Sequence, residues 1–174
     1  MAFNKKTQFN KTEFEEVVLD IARVSRVVAG GKRLSFRATV IVGDKEKHQV
    51  GVGVDKGKDV SQAIQKASNK AKKNLITVPI INETIPHETI AKYKAAKVII
   101  KPARKGKGII AGGAVRTVLK LANVPNAIAK ILGSTSNAIN NARVAILALS
   151  TLKSLDNENK ARVKSEKNRD AQSL

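Results

Sequence analysis

Residues 34–42 alternate between apolar and other side chains more regularly than any other segment of this chain. The apolar set that occupies every second position is Leu34, Phe36, Ala38, Val40 and Val42. A period of two places these side chains on one face, which is typical of a half-buried strand. A looser alternation over residues 14–28 predicts an earlier strand, and the glycines at positions 30 and 31 supply the turn between them. The sequence therefore predicts a β-hairpin near the start of the chain.

A third strand and a helix are expected to complete this first unit. Valines at positions 50, 52 and 54 follow a turn at residues 43–46 and predict the strand. Asp59 is a plausible N-cap for the helix, in which Ala63, Ala67 and Ala71 recur at helical spacing. Three antiparallel strands covered by one helix form a small α+β unit that ends near residue 74.

The second half of the chain has the pattern of another α+β unit. Strands are expected at residues 85–93, 96–101 and 127–132, and helices at residues 114–122 and 138–152. We therefore expect a basic arm at residues 1–13, a first domain at 14–76, a second domain at 77–155 and a charged tail at 156–174. Residues 133–137 are expected to form a turn that caps the last helix.

The charge of the chain is strongly positive and unevenly distributed. Lys and Arg number 33 against 14 Asp and Glu, for a formal net charge of +19. No acidic residue occurs between Thr89 and Leu155, where the basic residues stand at positions 92, 94, 97, 101, 104, 105, 107, 116, 120, 130, 143 and 153. Because ordinary surfaces intersperse the two signs, this segment predicts a polyanionic partner, and nucleic acid is the first expectation.

A basic, glycine-rich loop over residues 102–116 is the strongest candidate site. Gly106 and Gly108 allow close backbone approach or a positive φ, and the basic residues beside them are Arg104, Lys105 and Lys107. The loop leads into a predicted helix, whose N-terminal N–H groups favour phosphate. We expect these three side chains to bind RNA.

Two further basic groups are candidate RNA-binding residues. One surrounds the turn of the first hairpin and comprises Ser25, Arg26, Lys32 and Arg33; the other is a helix face comprising Lys66, Lys70 and Lys73. Each could instead be an ordinary solvated surface. The total charge favours the RNA-binding interpretation of the hairpin, and the absence of acidic i±4 partners favours it for the helix face.

Other classes of function have little support in the sequence. The chain has no cysteine, and its two histidines, His48 and His87, are far apart, so we expect no metal site and no cofactor. The loop at 102–111 is similar to the phosphate loop of small-metabolite kinases, but residues 89–155 offer no carboxylate for Mg²⁺. With no signal peptide and no membrane-spanning segment predicted, the chain is expected to be soluble and cytoplasmic.

Several motifs in register resemble one known family. Ser35-Phe36-Arg37-Ala38, Val50-Gly51-Val52-Gly53, Gly108-Ile109-Ile110-Ala111-Gly112-Gly113 and Gly133-Ser134-Thr135 together closely resemble bacterial small-subunit ribosomal protein five over roughly residues 14–155. The resemblance implies a first domain like a double-stranded RNA-binding domain and a second with a left-handed β-α-β crossover. The tail at 156–174 matches no family pattern.

The resemblance also implies partners. These are small-subunit ribosomal RNA, ribosomal proteins four and eight, and a nearby messenger RNA path, with an influence on decoding accuracy. It places the hairpin at 25–33 beside the spectinomycin pocket, and Gly112, Gly113 and Arg116 toward the interface with protein four.

The sequence thus predicts a non-enzymatic structural constituent of the small ribosomal subunit. Two alternatives remain open at this point. One is a free-standing RNA-binding chaperone or regulator, and the other is a small-molecule kinase that shares the fold of the second domain.

Overall fold

The computed structural model describes residues 14–153, so the predicted arm at 1–13 and the predicted tail at 156–174 lie outside the described range. The strands are β1 (Glu15–Val28), β2 (Gly31–Asp44), β3 (Gln49–Gly57), β4 (Ile76–Thr77), β5 (Thr89–Tyr93), β6 (Ala96–Pro102), β7 (Ile109–Ile110) and β8 (Ala127–Ile131). The helices are α1 (Val60–Lys73), α2 (Gly113–Leu121) and α3 (Ala138–Ser150). Among the described helices, none has the length and apolarity that a membrane crossing requires.

The first sheet is antiparallel, in the order β1-β2-β3-β4, and α1 packs on one of its faces. The alanines predicted for the inner face of α1 are all fully buried, at positions 63, 67 and 71. Glycine in β3 lets the helix approach closely: a Cβ on Gly53 would overlap the carbonyl oxygen of Ala67 and lie 2.7 Å from the backbone nitrogen of Ala71. Small side chains on both elements therefore produce a thin, tightly packed layer.

The second sheet is mixed, in the order β5-β6-β8-β7. β5, β6 and β8 are antiparallel neighbours, whereas β7 lies parallel to β8 and is joined to it through α2. Along β6, Ala96, Val98 and Ile100 are fully buried against the helices, and Lys97 and Lys101 are exposed on the other face. This alternation of buried and exposed side chains explains why the sequence pattern predicted β6.

The two sheets share the larger of two apolar cores. Ile41 and Val50 of the first sheet belong to the same buried cluster as Val115, Leu119 and most buried residues of the second half. The smaller cluster joins alternate residues of β2 to the alanines of α1. The central part of β2 is therefore buried on both faces, one against α1 and the other against the second half of the chain.

The contact between the halves is close and includes polar groups. A Cβ on Gly43 would overlap the carbonyl oxygen of Leu121 at the end of α2. The side chain of Asn123, just beyond α2, donates a hydrogen bond to the carbonyl of Lys45 at 3.1 Å. The predicted domain boundary at 76/77 stays a prediction, and Thr77 itself pairs with Gln49 in the first sheet.

The structure confirms the α+β class and differs from the predicted elements in detail. The first sheet contains a fourth strand, β4, and a short strand, β7, lies within the glycine-rich loop. The strand expected from residue 85 begins only at Thr89, because Asn82 and Glu83 form a turn with positive φ and Pro86 follows. The strands β4 and β7 have two residues each, which is too few for a periodic pattern in the sequence.

The predicted helix caps have different outcomes. Asp59 occupies the N-cap position of α1, but its side chain caps no backbone N–H within the described residues. In contrast, the side chain of Asn137 accepts hydrogen bonds from the backbone of Ile139 and Asn140 and caps α3. The cap expected from residues 133–137 is confirmed, whereas the segment itself is a bend followed by irregular backbone rather than a regular turn.

Candidate nucleic-acid interface

The hairpin of β1 and β2 extends beyond the rest of the first sheet as a two-stranded ribbon. The last pair between β2 and β3 is Phe36 with Gly57, and from there to the turn β2 pairs only with β1 among the described strands. All four predicted RNA-binding residues of this hairpin, Ser25, Arg26, Lys32 and Arg33, are exposed. The structure thus presents them together on a projecting element.

Like charges face each other across this ribbon. Arg26 pairs directly with Arg33, and Lys32 pairs with Val27, whose side chain is 75% exposed. Cross-strand pairs of like charge are destabilising, and an exposed apolar side chain lacks the stabilisation that burial would give it. Both features are typical of a surface that contacts an anionic partner with a partly apolar surface, such as RNA.

The three predicted lysines of α1 lie on one exposed side of the helix and line a shallow cleft with Asp55 and Asn69. Lys70 donates a hydrogen bond to the carbonyl of Val54 at 3.2 Å, and its ammonium lies 3.9 Å from the carboxylate of Asp55. The acid missing from the helix sequence is therefore supplied by β3. Within residues 14–153, Lys66 and Lys73 form no such ion pair, so they are more available than Lys70 for contact with a partner.

The basic loop lies between β6 and β7, and its predicted backbone conformation is confirmed. Gly106 and Gly108 have φ values of +83° and +71°, which residues other than glycine rarely adopt. The backbone N–H of Lys107 donates to the carbonyl of Arg104 at 3.2 Å and closes a tight turn. Arg104, Lys105 and Lys107 are all exposed on this turn, so the structure brings the three residues together.

One acidic residue outside the acid-free segment reaches this loop. The ammonium of Lys105 lies 2.8 Å from the carboxylate of Glu83, although the Lys105 side chain remains 80% exposed. The hydrogen bond to Glu83, together with its negative charge, raises the pKa of Lys105. Sequence reasoning missed this pair because the two residues are brought together only by the fold.

A buried polar network beneath the loop was also missed. Asn126, immediately before β8, is 4% exposed and donates through Nδ2 to the carbonyl of Glu83 at 3.1 Å. Its Oδ1 accepts from the N–H of Gly108 at 2.9 Å. The sequence signal that could have indicated this network was an amide residue directly before an apolar strand, between Pro125 and Ala127.

The residues predicted for a protein interface lie at the start of α2. Gly112 is the N-cap residue, Gly113 begins the helix, and the N–H of Arg116 donates to the carbonyl of Gly112 at 2.8 Å. All three are exposed and follow the basic loop through β7. In the described part of the chain, no group of three or more His, Cys, Asp or Glu residues could hold a metal ion.

An α+β fold that displays three exposed basic segments is typical of one class of protein, the nucleic-acid-binding proteins. Within that class, residues 14–79 match the family described as "Ribosomal protein S5, N-terminal domain", and residues 91–162 match "Ribosomal protein S5, C-terminal domain". The chain belongs to the ribosomal protein S5 family. This confirms the resemblance found in the sequence.

Individual relatives are similar over most of the chain. The small ribosomal subunit protein uS5 of Nostoc punctiforme is 53% identical over 152 residues, covering 87% of this chain and 86% of the relative. The uS5 protein of Thermotoga maritima is 50% identical, with coverages of 83% and 77%. The uS5c protein of Spinacia oleracea is 53% identical, and this chain spans about half of its length, 49%. These matches do not favour the chaperone or kinase alternatives.

Proposed function

We propose that this protein is a non-enzymatic structural constituent of the small ribosomal subunit that binds ribosomal RNA. Membership of the ribosomal protein S5 family supports the ribosomal role. The observation that supports RNA as the partner most directly is the clustering of Arg104, Lys105 and Lys107 on one exposed turn. Three cations on one tight turn neutralise closely spaced phosphates and release their counterions.

The same proposal assigns roles to the other predicted residues. The ribbon residues Ser25, Arg26, Lys32 and Arg33 and the helix residues Lys66, Lys70 and Lys73 form two further RNA contacts. Gly112, Gly113 and Arg116 face a neighbouring protein. We place ribosomal proteins four and eight beside this chain, near the side where messenger RNA enters, and assign it an influence on decoding accuracy.

The assignment of the basic loop is tested by charge reversal. We expect the double variant Lys105→Glu, Lys107→Glu to bind a small-subunit ribosomal RNA transcript at least about tenfold more weakly at moderate salt, because two phosphate contacts become repulsive. If the intact chain contacts about eight phosphates, log affinity falls with log salt at a slope near −7, and the variant should have a slope shallower by about 2.

The matched control is the double variant Lys160→Glu, Lys164→Glu, which makes the same change of charge outside the described residues. We expect a much smaller loss of RNA affinity for it. Equal losses for the two double variants would show that net charge alone determines binding and would contradict the assignment of the loop.

A further inference from the structure

The buried amide of Asn126 has partners for all of its polar groups. Its backbone N–H and its Nδ2 both donate to the carbonyl of Glu83, at 3.2 and 3.1 Å. Its Oδ1 accepts from the N–H of Gly108 at 2.9 Å, and its carbonyl accepts from the hydroxyl of Thr84 at 2.7 Å. A primary amide that is 4% exposed is costly to bury unless it is paired in this way.

Thr84 extends the network to the other end of the basic loop. Its Oγ1 donates to Asn126 and accepts from the backbone N–H of Ala103 at 3.1 Å. Ala103 precedes the three basic residues of the loop, and Gly108 follows them. The loop is therefore fastened at both ends to the turn at residues 82–84, once through Thr84 and once through Asn126.

The fastening matters because the loop sequence alone is permissive. Glycine at positions 106 and 108 gives the unfastened backbone many accessible conformations, since glycine populates positive and negative φ about equally. A binding loop that must be ordered by its ligand loses affinity to that ordering, and one that is already ordered does not. Neither Asn126 nor Thr84 carries a charge or belongs to the exposed basic turn.

We propose that Asn126 and Thr84 are positioning residues for RNA binding, which hold the loop at 103–108 in the shape that aims its three cations at phosphates. The proposal rests on the proposed function of this loop as an RNA contact. It assigns an effect on RNA affinity to two uncharged side chains beneath the binding surface.

The first test measures binding of the purified full-length chain to a small-subunit ribosomal RNA transcript over a range of salt concentrations. We expect Asn126→Ala and Thr84→Val each to weaken binding about five- to tenfold, the effect of one or two lost hydrogen bonds. The slope of log affinity against log salt should also become shallower, although the net charge is unchanged. Thr84→Ser, which keeps the hydroxyl, should restore wild-type binding.

Thr151→Val is the matched control, because it also removes a hydroxyl that bonds to a backbone carbonyl, here that of Ala148 at the end of α3. We expect no change in its RNA affinity. Hydrogen exchange should be faster at the amides of Ala103 and Gly108 in Thr84→Val and Asn126→Ala respectively, with exchange in the core of α1 unchanged. Exchange that is faster throughout the chain would indicate general destabilisation and overturn the proposal.

A double-mutant cycle separates this proposal from the proposed function. In a background with Arg104, Lys105 and Lys107 all changed to Ala, we expect Thr84→Val and Asn126→Ala to have no further effect on RNA affinity. An equal effect in both backgrounds would overturn the positioning role. If the triple change itself leaves RNA affinity intact, the assignment of the loop fails. If the triple change weakens binding but Thr84→Val and Asn126→Ala leave the affinity of the otherwise wild-type chain unchanged, the positioning role alone fails.

Discussion

The carboxylate of Glu16 shows how single residues tie the first strand to the helix. Its Oε1 accepts a hydrogen bond from the hydroxyl of Ser68 at 2.6 Å and lies 2.8 Å from the ammonium of Lys72. Burial raises the pKa of Glu16, but the hydrogen bonds from Lys72 and Ser68 and the charge of Lys72 outweigh it, so the pKa is lowered. The ionised form therefore stabilises the fold.

This lowered pKa predicts a pH-dependent effect of Glu16→Gln. The stabilisation is complete above the pKa of the unfolded chain and is lost as the pH falls through the lower pKa of the folded protein. At pH 7 we expect the variant to lose less than about 1 kcal/mol of the free energy of unfolding, since the pair is about one-third exposed and screened by solvent. Urea unfolding of both proteins from pH 7 to pH 3 measures the difference.

The difference in free energy of unfolding between Glu16→Gln and wild type should shrink toward zero as the pH falls below 4.5, the ordinary pKa of a glutamate side chain. Glu46→Gln, at an exposed turn position, is the control and should have little effect across this range. A loss in Glu16→Gln that stays constant with pH would mean that packing, rather than charge, stabilises this site.

At the scale of elements, the sheet and α1 are held together by small residues. Gly53→Ala should lower the free energy of unfolding by about 2–4 kcal/mol, because the added methyl group would overlap the backbone of α1 at Ala67. Gly113→Ala adds the same methyl group where nothing lies within 4 Å, at the first position of α2. Urea unfolding should show no loss for this control, and comparable losses for the two variants would contradict the packing account.

The ribbon permits a test of its predicted role that leaves its pairing intact. We expect Lys32→Glu to change the response of ribosomes to spectinomycin without unfolding the protein. The residue is exposed, and its register partner on β1 is Val27, so the substitution leaves the strand register unchanged. A substitution is preferable to a deletion, which would shift the strand register by one residue and reverse every side chain beyond it.

Drug sensitivity of cells whose ribosomes carry Lys32→Glu is the measurement, together with the thermal stability of the purified variant. Lys120→Glu, an exposed change of equal charge on α2, serves as the control. An unchanged drug response for a stably incorporated Lys32→Glu protein would argue against placing the ribbon next to the drug site.

The elements also show what the sequence could and could not predict. The alternation along β6 predicted this strand because its buried side chains occupy every second position. The alternation along β2 also predicted a strand, but the half-buried strand expected there is wrong for residues 38–44, which are buried on both faces. The alternation along β1 was looser, and the structure gives the reason: the pairing register shifts between Val18 and Asp20, which leaves Leu19 as an extra residue in the strand. A bulge of this kind breaks the period of two and has no local sequence signal of its own.

The candidate site was predictable to the extent that it depends on local composition. The basic residues and glycines of the loop identified it as an exposed turn, and the positive φ at Gly106 and Gly108 followed from residue type. Its partners were not predictable, because Glu83 and Asn126 come from separate segments that only the fold brings to the loop. Long-range pairs of this kind require the tertiary structure.

At the scale of the whole molecule, the two halves share a core, while the basic segments lie exposed on separate elements. Ile41 and Val50 contribute to the larger buried cluster from the first sheet, which ties its position to that of α2 and α3. Two halves that share a core and display several cationic segments can hold RNA segments relative to one another. The net charge of +19 favours a polyanionic partner, since a chain with this charge repels itself.

Sedimentation of a cell lysate through sucrose gradients at moderate and at high salt tests the central claim, that this chain works as an RNA-bound part of the small subunit. We expect the chain to co-migrate with small subunits at about one copy each at moderate salt and to be released only at high salt, because its contacts are largely electrostatic. A chain that stays at the top of the gradient at moderate salt would contradict the account.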